Sequence, residues 1–459
     1  MSHLDSILDA VDQAIPEALN RLLEFLKIES ISTDPSYKAN CIEAANWLQA
    51  ELKDIGFDAE VMTTPGHPMV VGHLHSDAKA PHVLFYGHYD VQPVDPLDLW
   101  DKPPFGPSIE STAAGDVIRG RGAADDKGQL MTFVEACRAI MNADGQLPIN
   151  VTVFFEGEEE SGSPSLIPFM KDNIDKLKAD IALVCDTGMW DNDTPAISTR
   201  LRGMVAEQIT ITGPNKDLHS GMYGGPSMNP IRVLCKILAD LHDDTGRVTL
   251  EGFYEGVEEL PEPIKQQWLA LQHDEKAFLG EVGLSVPAGE QGYSVLEQIW
   301  SRPTCDVNGI TGGYSGEGFK TVLPSQAMAK VSFRLVGEQD PQKIRKALFK
   351  FINERLPADC TVEYQSKDAS GATVMPVDAP AFERAHQALS SEWPKPAVYA
   401  GCGGSIPVVG HIKDILDMDS MLIGFGQDDD AIHSPNEKYN VRSFHKGTRS
   451  WVRVLYGLV

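Results

Sequence analysis

Apolar positions recur along this chain with two different periods. Leu4, Ile7, Leu8, Val11, Ile15, Leu19, Leu22 and Leu26 return every three to four residues, the spacing of a helix face packed on a core. Helices are also expected over residues 41–55 and 128–141. Largely apolar runs at 83–86, 149–155 and 181–185 read as strands buried on both faces, which belong to a mainly parallel sheet covered by helices. From about Gly203 the texture changes. Residues 204–212 and 327–336 read as strands, 229–241 and 341–356 as helices, and 360–364 as a further strand, a mixture typical of an α+β module. Residues 368–380, rich in Gly, Pro and Ala, read as a linker, and 381–392 as a helix. The expected fold class is therefore α/β: a discontinuous first domain, 1–202 and 375–459, with a mainly parallel central sheet flanked by helices, interrupted by an inserted α+β domain, 203–374.

Chemistry collects where the buried runs end. Ligands of such sheets sit beyond the carboxyl ends of the strands. The run 83–86 leads into His88 and Asp90, two side chains on one side of an extended backbone. The run 149–155 leads into Glu156-Gly157-Glu158-Glu159-Glu160, and 181–185 into Asp186. A glycine-punctuated turn, Gly120-Arg121-Gly122-Ala123-Ala124-Asp125-Asp126, delivers two adjacent acids just before a helix. His433 lies on a turn near the C-terminus. Each has an ordinary reading: a surface His–Asp pair, a helix N-cap or a solvated acidic loop. Four carboxylates crowded at a buried strand end repel one another unless a cation offsets them. An N-cap, moreover, needs only one Asp. Two imidazoles and three carboxylates without a thiolate match a pair of divalent ions, zinc first, with manganese or cobalt as alternatives. A bridging carboxylate would make a two-metal hydrolytic site, and one of the adjacent glutamates would serve as a proton-transferring base.

Composition narrows the function further. A net charge of -27 argues against a nucleic-acid partner, which requires a basic face. No long apolar stretch suited to a membrane and no secretory signal is apparent. The seven cysteines are scattered without a Cys-x-x-Cys pair, as expected for buried thiols in the cytoplasm.

Several blocks together resemble one family: GHYDVQP from Gly87, GRGAADDKGQ from Gly120, EGEEESGS from Glu156, KDLHSGMYGG from Lys216, GGYSGEGFKTVLP from Gly312, FRLV from Phe333, GGSIPV from Gly403 and HSPNEK from His433. Over essentially its whole length the chain is similar to the dinuclear zinc metallopeptidases that include aminoacylase, carboxypeptidase G and the carnosinase-type dipeptidases, and most to the dipeptidase branch. The resemblance implies His88 and Asp186 on one metal, Glu160 and His433 on the other, and Asp125 bridging them through a cis peptide to Asp126. It implies Asp90 as the group that orients His88 and Glu159 as general base and acid. It further implies that the inserted domain forms a homodimer in which His219 reaches the partner subunit's site to stabilise the oxyanion, with Thr321 beside it. Arg334 would clamp the carboxylate of a small peptide substrate, with Ser405 nearby. His219 as a surface loop histidine, and Arg334 as half of a structural ion pair, remain the alternatives. The chain departs from the dipeptidase pattern at Gly401-Cys402, where Arg-Glu is usual, which leaves the pocket floor more apolar. The function expected is hydrolysis of dipeptides or short peptides with a free carboxylate. Deacylation of N-acyl or N-carbamoyl amino acids is the alternative, and a non-catalytic metal-binding scaffold a third reading.

Overall fold

A computed structural model describes residues 3–77, 79–367, 369–404 and 406–459. The chain divides into two units, Met1–Thr199 with Met375–Ala400 and His411–Val459, and Arg200–Val374 with Gly401–Gly410. The segment Gly401–Gly410, which the sequence reading carried in the first domain, clusters with the second unit.

The first unit is built on a mixed sheet whose centre is parallel. The strands Asn150–Glu156, His82–His88, Ile181–Val184 and Ser420–Leu422 lie side by side and run the same way. Met69–Leu74 and Asp58–Met62 add antiparallel strands at one edge. The central strands are buried almost throughout, Asn150–Glu156 at every position, because helices cover both faces. The helix Lys127–Asp144 is buried all round as far as Ile140. Its Phe133 stacks on Phe85 of the sheet at 3.7 Å, and the Trp451 ring of the Val441–Gly457 helix meets both edge-on at 5.4 and 5.5 Å. Trp451 donates its indole N–H to Thr132 Oγ1 at 3.0 Å, so the ring is buried without an orphaned donor. The amphipathic pattern of the first segment forms the helix His3–Leu26, whose buried stripe includes Ile7, Val11, Leu22 and Leu26.

The second unit carries an antiparallel sheet in the order Thr304–Gly312, Gln326–Leu335, Gly203–Thr212, Thr361–Ser366. Strict alternation along Gly203–Thr212 puts Val205, Ile209 and Ile211 on the inner face, where Leu234 of the Pro230–Ala239 helix and Leu348 of the Pro341–Arg355 helix complete the core. Asn229 caps the first of these helices by accepting from Ile231 N at 2.9 Å, and Asp340 caps the second. The expected linker over 368–380 is partly structured: Thr373–Val374 pairs with Leu201 and Arg200, while Asp368 lies outside the described residues. Pairing wins there because a two-residue strand needs only backbone groups, which Gly- and Ala-rich sequence supplies as well as any.

Candidate metal centre

His88 ends the strand His82–His88 and is fully buried. Its Nε2 lies 3.0 Å from Asp125 Oδ1 and 3.9 Å from Asp186 Oδ2. Its Nδ1 faces Asp90, 3.1 Å from the backbone carbonyl and 3.4 Å from the carboxylate Oδ1. The other carboxylate oxygen of Asp90 accepts from Glu160 N at 3.0 Å. One aspartate thus touches both the His88 ring and the turn that carries Glu159 and Glu160.

Asp125 stands at the middle. Its second oxygen lies 2.9 Å from His433 Nε2, so the two oxygens of one carboxylate face two imidazoles. The Asp125–Asp126 peptide is cis. His433 Nε2 also lies 3.3 Å from Glu160 Oε2, and Gln92 donates to that same oxygen at 2.6 Å. Ligand atoms of His88, Asp125 and Asp186, and those of Asp125, Glu160 and His433, fall within 4.8 Å of one another; these are the groups of this kind among the described residues. Asp125 belongs to both.

The electrostatics ask for positive charge. Burial, then repulsion from Asp125, pushes the Asp186 carboxyl well above its usual range. Burial pushes Glu159 up; His88 pulls it back, while Glu160, Asp90 and Asp125 add to the rise. Burial alone would also raise Asp125, but His433 and His88 outweigh it and hold this carboxyl low. Asp125 and Glu160 in turn push His433 up to about 10. Protons here stand where a divalent cation would offset the same charges. The donor set, oxygen and imidazole nitrogen around one shared carboxylate, fits such an ion, and Cys185 is turned away, its thiol on Asp126 Oδ2 at 3.2 Å.

Three residues that hold the site were given no role from sequence. Glu158 accepts from His67 N, Ser165 N and Ser165 Oγ at 2.7, 2.8 and 3.1 Å, which fixes the acidic turn. Asp126 accepts from His88 N at 3.1 Å. Glu437 binds the Asp125 turn. All three fall inside the quoted motif blocks, but spacing alone does not distinguish a ligand from the acid behind it.

The remaining candidates belong to the second unit. His219 is exposed and closes the short ladder Leu218–His219 with Val322–Leu323; its Nδ1 accepts from Gly221 N at 3.1 Å. Thr321 O accepts from Ser220 N at 3.1 Å, so Thr321 and His219 each flank the same chain pairing. Arg334 lies on Gln326–Leu335, opposite Thr304 and Met204. Ser405 lies outside the described residues. A Cβ at Gly401 would collide with Trp300, which packs edge-on against Trp268 at 5.0 Å; glycine is what this packing leaves room for.

A discontinuous α/β unit with a shared-carboxylate centre at its strand ends defines a metallohydrolase class, and residues 84–457 match the peptidase family M20/M25/M40. The chain belongs to that family and is a peptide-bond hydrolase that uses divalent metal. It is 29% identical to the Cys-Gly metallodipeptidase of Saccharomyces cerevisiae over 99% of this chain and 98% of that one. A solved dipeptidase from the same yeast matches with a TM-score of 0.78 at 28% identity, covering 100% of this chain and 99% of the other. An M20 metallo-carboxypeptidase from Sulfolobus solfataricus gives a TM-score of 0.80 at 31% identity, over 96% of this chain and all of that one.

Proposed function

We propose that this peptidase hydrolyses dipeptides and short peptides with a free C-terminal carboxylate, using two divalent ions, zinc in the first place. The observation that carries this reading is the pair of ligand groups sharing Asp125, with Glu159 beside them. His88 and Asp186 hold one ion, Glu160 and His433 the other, and Asp125 serves both. When bound, such ions lower the pKa of water and polarise a scissile carbonyl. Glu159 takes the attacking water's proton and hands it to the leaving amine; its raised pKa places it nearer the range where both transfers run. Asp90 keeps the His88 ring in place from the Nδ1 side.

In the second unit, Arg334 offers a planar fork for the substrate carboxylate. His219, with Thr321 next to its ladder partner Val322, supplies a donor to the oxyanion in the partner subunit's site. Homodimerisation through this lid unit is part of the reading, supported by Val307 and Ile310, 43% and 56% exposed on the outermost strand of its sheet. A cytoplasmic location agrees with seven free cysteines. No helix among the described residues is long and apolar enough to cross a membrane.

Deacylation of N-acyl or N-carbamoyl amino acids is the second reading, favoured by the Trp300 wall at Gly401 in place of a charged pair. The test is a substrate panel of dipeptides, tripeptides and N-acyl and N-carbamoyl amino acids, run on chelated enzyme and after adding back zinc, manganese or cobalt. Dipeptide turnover should vanish on chelation and return with metal. Faster turnover of the N-acyl series would replace the first reading with the second, and metal binding without any turnover would leave a scaffold.

A further inference from the structure

Glu437 is fully buried, and its carboxylate is saturated by donors from one turn. Oε1 accepts from Ala124 N at 2.9 Å and Asp125 N at 3.1 Å. Oε2 accepts from Gly122 N at 3.0 Å and Arg121 Nη1 at 2.8 Å. The backbone carbonyl of Glu437 accepts from Gly120 N at 3.1 Å. Arg121 is itself buried; its other arm donates to Pro93 O at 3.0 Å and its guanidinium lies over the Trp100 ring at 5.3 Å.

Glu437 stands four residues after His433, at the start of Lys438–Asn440, which pairs with Gly115–Arg119 just before the turn. Its backbone and side chain therefore clasp the Asp125 turn to the loop that carries His433. Within the turn, Arg121 N donates to Pro104 O at 2.9 Å and Ala123 N to Gly120 O at 3.2 Å, while the N–H groups of Gly122, Ala124 and Asp125 go to Glu437. Gly122 sits at φ +81, and a Cβ there would come within 2.7 Å of Val91, so this position has no side chain to hold the backbone in place. The N–H groups of Gly122, Ala124 and Asp125, all aimed at one carboxylate, supply that constraint. Neither near neighbour can replace it: Asp is too short to reach both sides, and Gln would set an amide donor against the Gly122 N–H and the Arg121 guanidinium, leaving buried donors unmet.

The geometry points to Glu437 as a positioning residue that fixes the separation of Asp125 and His433, and through them the cation site they share with Glu160. This rests on the two-ion reading of the centre but not on any substrate. The test is cobalt titration of the full-length chain after chelation, following the visible absorption of the bound ion and the bound-metal ratio, with circular dichroism and melting to verify folding. In folded Glu437→Gln, one of the two cobalt sites should weaken by about 10- to 100-fold. The kcat should fall and be restored by excess metal, with KM unchanged; a residue needed only for stability would lower the melting point and leave the isotherm alone. Two sites of wild-type affinity in Glu437→Gln overturn the proposal. If that variant does not fold, Arg121→Gln, which removes one donor from Oε2, should weaken the same site to a smaller extent, and a wild-type isotherm there overturns it equally. A wild-type chain that splits into two cobalt sites yet hydrolyses no peptide sinks the substrate reading while leaving the positioning role intact; a wild-type chain with a single site removes both the centre and this role.

Discussion

At the scale of single residues, the centre is a contest between burial and charge. Five acids, Asp125, Asp126, Glu159, Glu160 and Asp186, gather around the buried His88 and the more exposed His433. Burial raises Asp126 to about 7 and lifts Asp186 and Glu159 as well. Asp125, with two imidazole partners, is held low. In the proposed reading Asp125 is the anion that two cations would share, and Glu159 is the acid that exchanges a proton. Glu159→Ala should therefore cut kcat by about 10²- to 10⁴-fold while the bound-metal ratio stays at the wild-type value. Metal loss in that variant would make Glu159 a ligand instead. His88, Asp186 and His433 were legible as candidates because each follows an apolar run or a turn. Glu437 was not, since a buried acid that accepts backbone N–H groups has the same sequence signature as one that binds metal.

At the scale of elements, the parallel strands act as a set of pointers. His88 closes its strand, Glu159 and Glu160 follow Asn150–Glu156, and Asp186 follows Ile181–Val184. Because these strands are neighbours in register, their ends meet at one edge: His88 is aligned with Glu156, and Tyr86 with Val184. The register is held from behind by the Phe85–Phe133–Trp451 cluster, which pins the Lys127–Asp144 helix, and hence the turn before it, to the sheet. Phe133→Ala removes a stacked, buried ring and should cost about 3–5 kcal/mol of stability, measurable by urea denaturation. A loss below about 1 kcal/mol would mean that the helix is held elsewhere. The apolar periods in the sequence disclosed these elements well. The short pairing at Thr373–Val374 escaped them, because two residues carry no period.

At the scale of the whole molecule, the two units have different logics. The first has a parallel core buried on both faces; the second has an alternating sheet with one covered face. The alternation that makes Val205, Ile209 and Ile211 a core leaves an outer strand, Thr304–Gly312, with Val307 and Ile310 exposed. An exposed apolar edge invites pairing with another chain. If the proposed homodimer pairs through this strand, Ile310→Asp should shift the protein from dimer to monomer in sedimentation. If His219 acts across the interface, kcat should drop in parallel. A variant that stays dimeric, or a monomer with full activity, would refute one half of that reading each.

The sequence by itself determined which residues form elements, since period and burial are local properties of a chain, and it marked the strand ends where ligands collect. It also determined the donor chemistry, because imidazole and carboxylate without thiolate exclude most alternatives. Only the tertiary structure decided that one carboxylate, Asp125, faces both His88 and His433, residues 345 positions apart from each other in the chain by their numbering. It alone assigned Asp90 two contacts and Glu437 its turn. Such relations depend on strand order and register, which many sequence-distant contacts fix together, and no local pattern encodes them.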